Sequence, residues 1–189
     1  MINYDFLSRY NNIIFDYDGT ISRIPIDWQV IRSEFFSFAE KTFGFTLDKS
    51  LRVDEMEYSL LSLKSINPHK IFQIRSEVES VYVGKHINNK KLIEYIQKNN
   101  NHFFIVSNNL HATILSNIVE LGILYKFKKI VGCDTYYSVK PSIISWHNLV
   151  NEFNLKTSDT LVVGDNPQTD GLYAKKIGVA YFQIPGFHE

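Results

Sequence analysis

The sequence has few of the features that mark secreted, membrane-bound or nucleic-acid-binding proteins. It contains one cysteine in 189 residues, Cys133, which excludes an intrachain disulfide. Its 20 basic and 20 acidic residues cancel, so it lacks the basic character typical of nucleic-acid binding. No apolar run approaches the length that spans a bilayer, and residues 1–10 lack the basic and apolar segments of a secretory signal. We therefore expect a cytoplasmic protein without a nucleic-acid or membrane partner.

The length and the hydrophobic pattern predict one core with a modest insertion. A chain of 189 residues is too short for two full enzyme domains. From residue 90 onward, helical and strand patterns alternate, which predicts an α/β fold with a parallel sheet and right-handed crossovers. Residues 22–83 instead show three helical patterns and no convincing strand, which is too long for a simple crossover. We expect a core of residues 1–21 and 84–189 and an inserted helical cap of residues 22–83.

Capping residues and apolar spacing predict where the elements begin and end. In the cap, Asp27 is expected to begin the first helix and Gly44 to end it, a second helix covers about 48–64, and a third begins at Asn67 and Pro68 and ends at Gly84. In the core, the predicted helices cover 90–98, 110–121, 141–153 and 171–177. The predicted strands cover 13–15, 103–106, 129–133, 161–163 and 179–184.

The first strand ends in the most informative motif of the chain. Ile13, Ile14 and Phe15 are apolar without alternation, which is typical of a strand buried on both faces. The next five residues are Asp-Tyr-Asp-Gly-Thr, residues 16–20. Ligands of open α/β sheets bind beyond the carboxyl ends of the strands, so Asp16 and Asp18 are expected at a binding crevice. An ordinary strand followed by an Asp-Gly turn would give the same short pattern.

Other polar residues follow the later strands or begin the later helices, where their side chains would converge on the same edge of the sheet. Each has a simpler explanation, such as helix capping for Ser107 or a solvated side chain for Lys140. Their order and placement together favour a functional site. These residues are Ser107 and Asn108 after the second strand of the sheet, Lys140 before a helix, and Asp165 and Asp170 after the fourth strand.

These residue types suit phosphoryl transfer through an aspartyl-phosphate. Asp16 would attack phosphorus, and Asp18 would protonate the leaving oxygen and later deprotonate water. Lys140, Ser107 and the Asn108 N–H would stabilise the transferring oxygens, and the Thr20 hydroxyl would orient an acidic neighbour. The acidic groups would repel one another unless a hard cation intervened, and Mg²⁺ suits such a site. Its ligands would be Asp16, Asp165 and Asp170, with the main-chain carbonyl of Asp18.

On these motifs the sequence resembles the haloacid dehalogenase superfamily, in its phosphatase branch with a C1-type helical cap. The resemblance covers residues 12–20 and about 90–185. It implies a Rossmannoid parallel sheet of order 5-4-1-2-3, Mg²⁺ dependence and the residue roles given above. Four residues separate Asp165 from Asp170 where three are more usual. Asp18 favours a phosphate ester, because the dehalogenase branch lacks this second acid.

The substrate and the reaction subtype stay open at this point. We expect a small phosphorylated metabolite such as a sugar, hydroxy-acid or alcohol phosphate, including a surface-polysaccharide precursor. Thr20 and Arg23 would contact that substrate, together with Arg32, Arg52 or Arg75, although a surface location is the simpler interpretation of each arginine. A phosphosugar mutase would use the same core residues. A phosphonate hydrolase would need a cap lysine, for which the candidates are Lys41, Lys49 and Lys64.

Two interpretations lie outside the superfamily. A non-enzymatic phospho-aspartate receiver domain also combines an aspartate, a lysine, a hydroxyl and Mg²⁺, but it has no use for a cap or for Asp18. A metal-dependent Asp-x-Asp glycosyltransferase would leave Lys140 and Ser107 without a role.

Overall fold

The computed structural model describes residues 4–63 and 65–185, which form an α/β fold. In chain order the strands are β1 (Asn12–Phe15), β2 (Ser22–Arg23), β3 (Ile87–Asn88), β4 (His102–Val106), β5 (Phe127–Val131), β6 (Thr160–Gly164) and β7 (Ala180–Gln183). The α-helices are α1 (Trp28–Phe43), α2 (Val53–Leu61), α3 (Pro68–Glu79), α4 (Lys90–Lys98), α5 (His111–Glu120), α6 (Ile144–Phe153) and α7 (Leu172–Ile177). No helix within these residues is long and apolar enough to cross a bilayer.

Five strands form one parallel sheet in the order β5-β4-β1-β6-β7. Read from the β7 edge and numbered along the chain, these strands have the order 5-4-1-2-3, which confirms the predicted topology. Every residue of β1 is buried, because helices cover both faces of the sheet. The backbone N–H of Asp16 donates to the carbonyl of Val163 at 2.8 Å, so the pairing continues to the point where β1 gives way to the polar motif.

The two faces of the sheet pack against different parts of the chain. On one face, Ile14, Phe104 and Val162 lie in a cluster with the buried residues Trp146 and Tyr173. On the other face, a larger apolar cluster contains Ile13 and Phe15 and extends without interruption into α1, α2 and α3. The cap residues of this cluster include Ile31, Phe35, Met56, Leu60 and Ile71. The helices α1, α2 and α3 are therefore packed onto the sheet through a shared apolar interior.

The start and stop signals of the cap helices act largely as expected. The Asp27 side chain accepts a hydrogen bond from the Gln29 N–H at 3.0 Å, and Gly44 ends α1 with a φ of 69°. Asn67 caps α3 in the same way, ahead of Pro68, but α3 ends at Glu79 and not at Gly84 as predicted. The second helix is shorter than predicted, since α2 covers Val53–Leu61, and Lys64 lies outside the described residues.

The expectation that residues 22–83 contain no strand is wrong. β2, Ser22–Arg23, pairs in antiparallel fashion with β3, Ile87–Asn88. Two residues are too few to show the alternation by which a strand is recognised in a sequence. The pair joins the two segments through which the chain enters and leaves the cap.

Several core elements differ from the predicted bounds by a few residues. β5 begins two residues before the prediction and ends at Val131, and α6 begins at Ile144. A turn of π-helix, Pro167–Gly171, precedes α7. This turn carries Asp170 back toward the end of β6, where its carboxylate accepts the Asn166 N–H at 3.1 Å.

Candidate active site

A buried ion-pair cluster lies at the carboxyl ends of the central strands. The Nζ of Lys140 lies 2.6 Å from Oδ1 of Asp16 and 2.5 Å from Oδ1 of Asp170. All three residues are buried. Burial lowers the pKa of Lys140, but Asp16 and Asp170 outweigh that effect and hold it above its ordinary value. Lys140 is therefore a fixed positive charge beside Asp16.

Asp165, directly after β6, adds a third carboxylate to this cluster. Oxygen atoms of Asp16, Asp165 and Asp170 lie within 4.8 Å of one another. Burial and then the charge of Asp16 raise the pKa of Asp165 to about 6. Burial raises the pKa of Asp170 to about 7, although Lys140 lowers it. One ammonium does not balance three close carboxylates, so this set of hard oxygen donors fits Mg²⁺.

Two glycines allow these carboxylates to come so close. A Cβ on Gly164 would lie 2.2 Å from Oδ2 of Asp170, and a Cβ on Gly19 would lie 2.4 Å from Oδ2 of Asp165. Gly19 also has a φ of +82°, which residues with a side chain rarely adopt. Neither position can accept a side chain without displacing an acidic residue of the cluster.

Asp18 lies at the same edge of the sheet but has a different partner. Its Oδ1 accepts a hydrogen bond from the backbone N–H of Ile24 at 2.7 Å. Burial raises the pKa of Asp18 to about 7 despite this hydrogen bond, and the charge of Asp16 adds to the rise. A carboxyl group with such a pKa can both donate and accept a proton near neutral pH.

The turn after β4 brings polar groups toward the same cluster. The Ser107 hydroxyl donates to Oδ1 of Asn109 at 3.1 Å and accepts from the Asn109 N–H at 3.3 Å. Oδ1 of Asn108 accepts the backbone N–H of Lys140 at 2.7 Å. The side chain of Asn108 therefore ties the turn to the segment that carries Lys140.

Thr20 and Arg23 lie apart from these groups. Thr20 is fully buried, and its hydroxyl has no hydrogen-bond partner. Arg23 is exposed. Neither residue lines the cavity above the cluster. Substrate contact by Thr20 or Arg23 therefore stays a prediction that the geometry does not support.

A cavity of about 430 Å³ separates the acidic cluster from the cap. Its volume is within the range of small-molecule sites. The core contributes Asp16, Asp18, Ser107, Asn108, Asn109, Lys140, Asp165, Asn166 and Thr169, and the cap contributes Trp28, Gln29, Arg32, Arg52, Val53, Asp54, Glu57 and Arg75. A ligand held at Asp16 would therefore meet side chains of α1, α2 and α3.

The sequence matches the model of a known protein family. The model of the haloacid dehalogenase-like hydrolases matches residues 13–184, a span that includes the whole acidic cluster. The chain belongs to this family. Its expected membership of the haloacid dehalogenase (HAD) superfamily is thereby confirmed. No curated protein matches the sequence.

Solved structures of HAD proteins have a similar fold. The HAD-hydrolase YfnB from Bacillus subtilis, whose structure was determined with magnesium bound, is 16% identical to this chain. The two structures have a TM-score of 0.60, and the match covers 93% of this chain and 89% of YfnB. A predicted phosphoglycolate phosphatase from Haemophilus somnus has a TM-score of 0.61 and 17% identity, over 95% and 87%. A HAD phosphatase from Thermococcus onnurineus has a TM-score of 0.58 and 17% identity, over 95% and 89%. At these identities the likeness is evidence for the HAD fold alone.

The surface location expected for Arg75 is wrong. This residue of α3 is 1% exposed. Its Nη2 lies 2.7 Å from Oε1 of Glu79 and donates to the Asn108 carbonyl at 2.6 Å, and its Nε lies 3.6 Å from Oε1 of Glu57. The ring centre of Trp28 is 5.1 Å from the guanidinium carbon. A charged residue on an amphipathic helix is usually solvated, and the partners on α2 and the β4 turn cannot be read from local sequence.

No sequence motif indicates the other residues of α1 and α2 that line the cavity. Trp28 packs against the larger apolar cluster and also lines the cavity. Gln29, Asp54 and Glu57 belong to no motif. The available signal for the buried cluster was the i,i+4 spacing of Arg75 and Glu79, which is equally typical of an exposed pair.

The lysines considered for a phosphonate hydrolase receive no support. Lys41 and Lys49 are exposed, and neither lines the cavity. Lys64 lies outside the described residues. Among the residues that line the cavity, Lys140 is the one lysine, and it belongs to the acidic cluster of the HAD core.

Proposed function

We propose that this HAD hydrolase is a Mg²⁺-dependent phosphatase that cleaves a small phosphomonoester through an aspartyl-phosphate. The observation that carries the proposal is the contrast between two carboxylates at the end of β1. Asp16 is paired with Lys140 at 2.6 Å, whereas Asp18 accepts a hydrogen bond from the backbone N–H of Ile24 and has a pKa raised by burial to about 7. A nucleophile must be ionised, and an acid/base group must exchange a proton near the working pH.

The proposed reaction has two chemical steps. A carboxylate oxygen of Asp16 attacks phosphorus, the bond from phosphorus to the alcohol oxygen breaks, and that oxygen takes the proton of Asp18. Asp18, now ionised, then accepts a proton from water as the water oxygen attacks phosphorus. This second step breaks the bond between phosphorus and Asp16 and releases inorganic phosphate.

Lys140 and the β4 turn support both steps. The Lys140 ammonium, held beside Asp16, neutralises negative charge on the transferring oxygens. The Ser107 hydroxyl and the Asn108 N–H are proposed donors to the same oxygens. The hydrogen bond from the backbone N–H of Lys140 to Oδ1 of Asn108 holds the segment that carries Lys140 against the β4 turn.

Asp16, Asp165 and Asp170 would hold Mg²⁺, and the Asp18 carbonyl is a further proposed ligand. When bound, Mg²⁺ supplies positive charge that offsets the carboxylates and the phosphate. The donor chemistry of the three clustered carboxylates supports this assignment. YfnB, a structural neighbour, was determined with magnesium bound.

The substrate is proposed to be a small phosphorylated metabolite. A cavity of about 430 Å³ has room for a small ester and is covered by the cap, which would exclude bulk water during the reaction. Neighbours of this fold are described as a phosphoglycolate phosphatase and a HAD phosphatase. Sugar, hydroxy-acid and alcohol phosphates, including surface-polysaccharide precursors, are candidates on this basis.

Phosphate release from p-nitrophenyl phosphate tests the proposal. We expect turnover that requires Mg²⁺ and is abolished in Asp16→Asn, because an amide cannot act as the nucleophile. Asp159→Asn, which changes an aspartate before β6 at the opposite end of the sheet, is the matched control and should retain turnover. A long-lived phosphoprotein without turnover would instead indicate a receiver domain.

A further inference from the structure

The cap side of the cavity carries three arginines, and the protein itself provides partners for each. Arg52 contacts Asp54 through two nitrogens, with Nη2 2.7 Å from Oδ2 and Nε 3.1 Å from Oδ1. This paired geometry uses one of the two edges of the guanidinium that can bind a carboxylate with two hydrogen bonds. Arg52 is therefore unlike a free anion-binding residue, although it lines the cavity.

Arg75 is engaged more completely than Arg52. Its guanidinium lies between Glu57 and Glu79 and also donates to the carbonyl of Asn108. Two carboxylates thus surround one buried cation. The local charge of this group is not positive, so it offers no attraction to a negatively charged ligand.

Arg32 completes the set. Its two terminal nitrogens donate to the backbone carbonyls of Lys49 and Leu51, and its guanidinium lies 5.5 Å from the ring centre of Phe36. Among the cavity residues that the structure describes, no cap arginine is without such a partner.

Glu57 adds an unmet hydrogen-bonding requirement at the same place. It is fully buried, it lines the cavity, and neither of its carboxylate oxygens accepts a hydrogen bond. Nε of Arg75 lies 3.6 Å from Oε1 of Glu57, which is too far for a hydrogen bond. Ionised Glu57 presents two buried acceptors without a donor, which is costly, so while Glu57 is ionised a ligand that brings a donor is favoured over one that brings another acceptor.

From these contacts we propose that the alcohol part of the substrate carries hydrogen-bond donors and no negative charge, as in a polyol or an amino alcohol. This inference rests on the proposed phosphatase function and narrows its substrate class. A carboxylate on the alcohol part would enter a cavity whose cap arginines are occupied and whose remaining side chains include Asp54 and Glu57. Hydroxy-acid phosphates are therefore poor substrates.

Three esters of similar size test the proposal when compared by kcat/KM. Glycerol 3-phosphate supplies neutral hydroxyl donors, O-phosphoethanolamine supplies an ammonium, and 2-phosphoglycolate supplies a carboxylate. We expect at least one of the first two to exceed 2-phosphoglycolate by about tenfold or more, because a site built for donors rejects a ligand that lacks them. Whichever of the first two esters has the higher kcat/KM shows whether the site prefers a polyol phosphate or an amino-alcohol phosphate.

A variant tests the role of arginine pairing directly. Asp54→Asn removes the nearer of the two charged partners of Arg52 and leaves Glu55 at 3.9 Å. The ratio of kcat/KM for the better neutral or cationic ester to that for 2-phosphoglycolate should therefore fall by roughly threefold or more. Asp54 is partly exposed, and its loss leaves the buried apolar cluster intact. The matched control is Glu77→Gln, an exposed carboxylate of the cap that does not line the cavity; the ratio should not change.

The outcomes separate this inference from the function on which it rests. A preference for 2-phosphoglycolate in the wild type, or an unchanged ratio in Asp54→Asn, overturns the proposed substrate class. Turnover of p-nitrophenyl phosphate with none of the three esters also overturns it and leaves the phosphatase proposal standing. Absence of turnover with every ester, including p-nitrophenyl phosphate, overturns both.

Discussion

Asp16 and Asp18 show how two identical residues, two positions apart, acquire different chemistry from their neighbours. Asp16 lies against the ammonium of Lys140, with Nζ 2.6 Å from its Oδ1. Asp18 accepts one backbone hydrogen bond from Ile24 and is otherwise penalised by burial, which raises its pKa to about 7. The sequence alone indicated two acids at the end of a strand, and the surroundings assign them different proposed roles.

Replacement of Asp18 tests this division of roles. Asp18→Asn should reduce turnover of p-nitrophenyl phosphate by about two to four orders of magnitude, since an amide cannot protonate the leaving oxygen. Mg²⁺ affinity, measured by isothermal titration calorimetry, should be largely kept, because the clustered carboxylates are Asp16, Asp165 and Asp170. Unchanged turnover would show that the acid/base assignment is wrong.

The residues that sequence reasoning did not place are those whose partners lie on other elements. Glu57 and Arg75 belong to different helices, and the Asn108 carbonyl belongs to a turn of the core. No local pattern encodes such contacts. Asp16, Asp165 and Lys140 could be predicted because each one follows a strand or begins a helix, and parallel strands bring these positions to one edge.

At the scale of single elements, the end of β6 shows how tightly backbone and side chains fit around the cluster. Gly164 is the last residue of this strand, and the π-helical turn that follows returns Asp170 to within hydrogen-bonding distance of Asn166. The strand can end in this way because residue 164 has no side chain. The sequence pattern predicts the strand but not the π-helical turn that brings Asp170 back to the end of β6.

Gly164→Ala should therefore damage the site rather than the fold. Its new Cβ would lie 2.2 Å from Oδ2 of Asp170, so the carboxylate must move. We expect Mg²⁺ affinity and turnover to fall at least about tenfold, which is the usual effect of a mutation that moves a metal ligand out of position. Gly84→Ala is an informative control, because nothing lies within 4 Å of its Cβ and its cost comes from a φ of +78°. That variant should lose stability and retain Mg²⁺ affinity; equal affinity in both variants would contradict the prediction.

Considered as a whole, the molecule has one apolar cluster that runs from the sheet into the cap and a set of buried charges between the two. The alternation of helices and strands was enough to predict the sheet and its order. The division into a core and a cap stays a proposal, because the shared cluster joins residues of both, such as Phe15 and Phe35. The buried charges make the stability of the whole chain depend on pH and on metal.

Glu57 gives a definite direction to the pH dependence. Burial raises its pKa to about 7, and Arg75 offsets only part of that effect. The folded state therefore holds this proton more tightly than the unfolded state, so the contribution to stability is complete below about pH 4.3 and is lost as pH rises through 7.

Urea unfolding at pH 5 and pH 7.5 without Mg²⁺ measures this effect. Glu57→Gln cannot titrate, so its free energy of unfolding should change less between the two pH values than that of the wild type, by roughly 1–3 kcal/mol. Glu77→Gln, which removes an exposed carboxylate of α3, should behave like the wild type. Identical pH dependence in wild type and Glu57→Gln would refute the assignment of this buried charge.

Mg²⁺ should stabilise the folded chain, because it binds a site that the unfolded chain does not possess. At a concentration about 100 times the dissociation constant, the expected gain is about 2.7 kcal/mol, seen as a higher Tm at pH 7.5. Asp165→Asn removes one of the three clustered carboxylates and should reduce the gain at the same Mg²⁺ concentration. A gain of equal size in this variant would exclude Asp165 as a ligand.

The antiparallel pairing of β2 with β3 has a consequence for how such enzymes diversify. Because Ser22 lies opposite Asn88 in this pairing, the intervening segment starts and finishes at neighbouring points. A replacement of different length or sequence could be spliced between these points without shifting the strands of the sheet. Related proteins can thus keep the strand ends that carry the acidic cluster while they exchange the segment between β2 and β3, which covers the cavity.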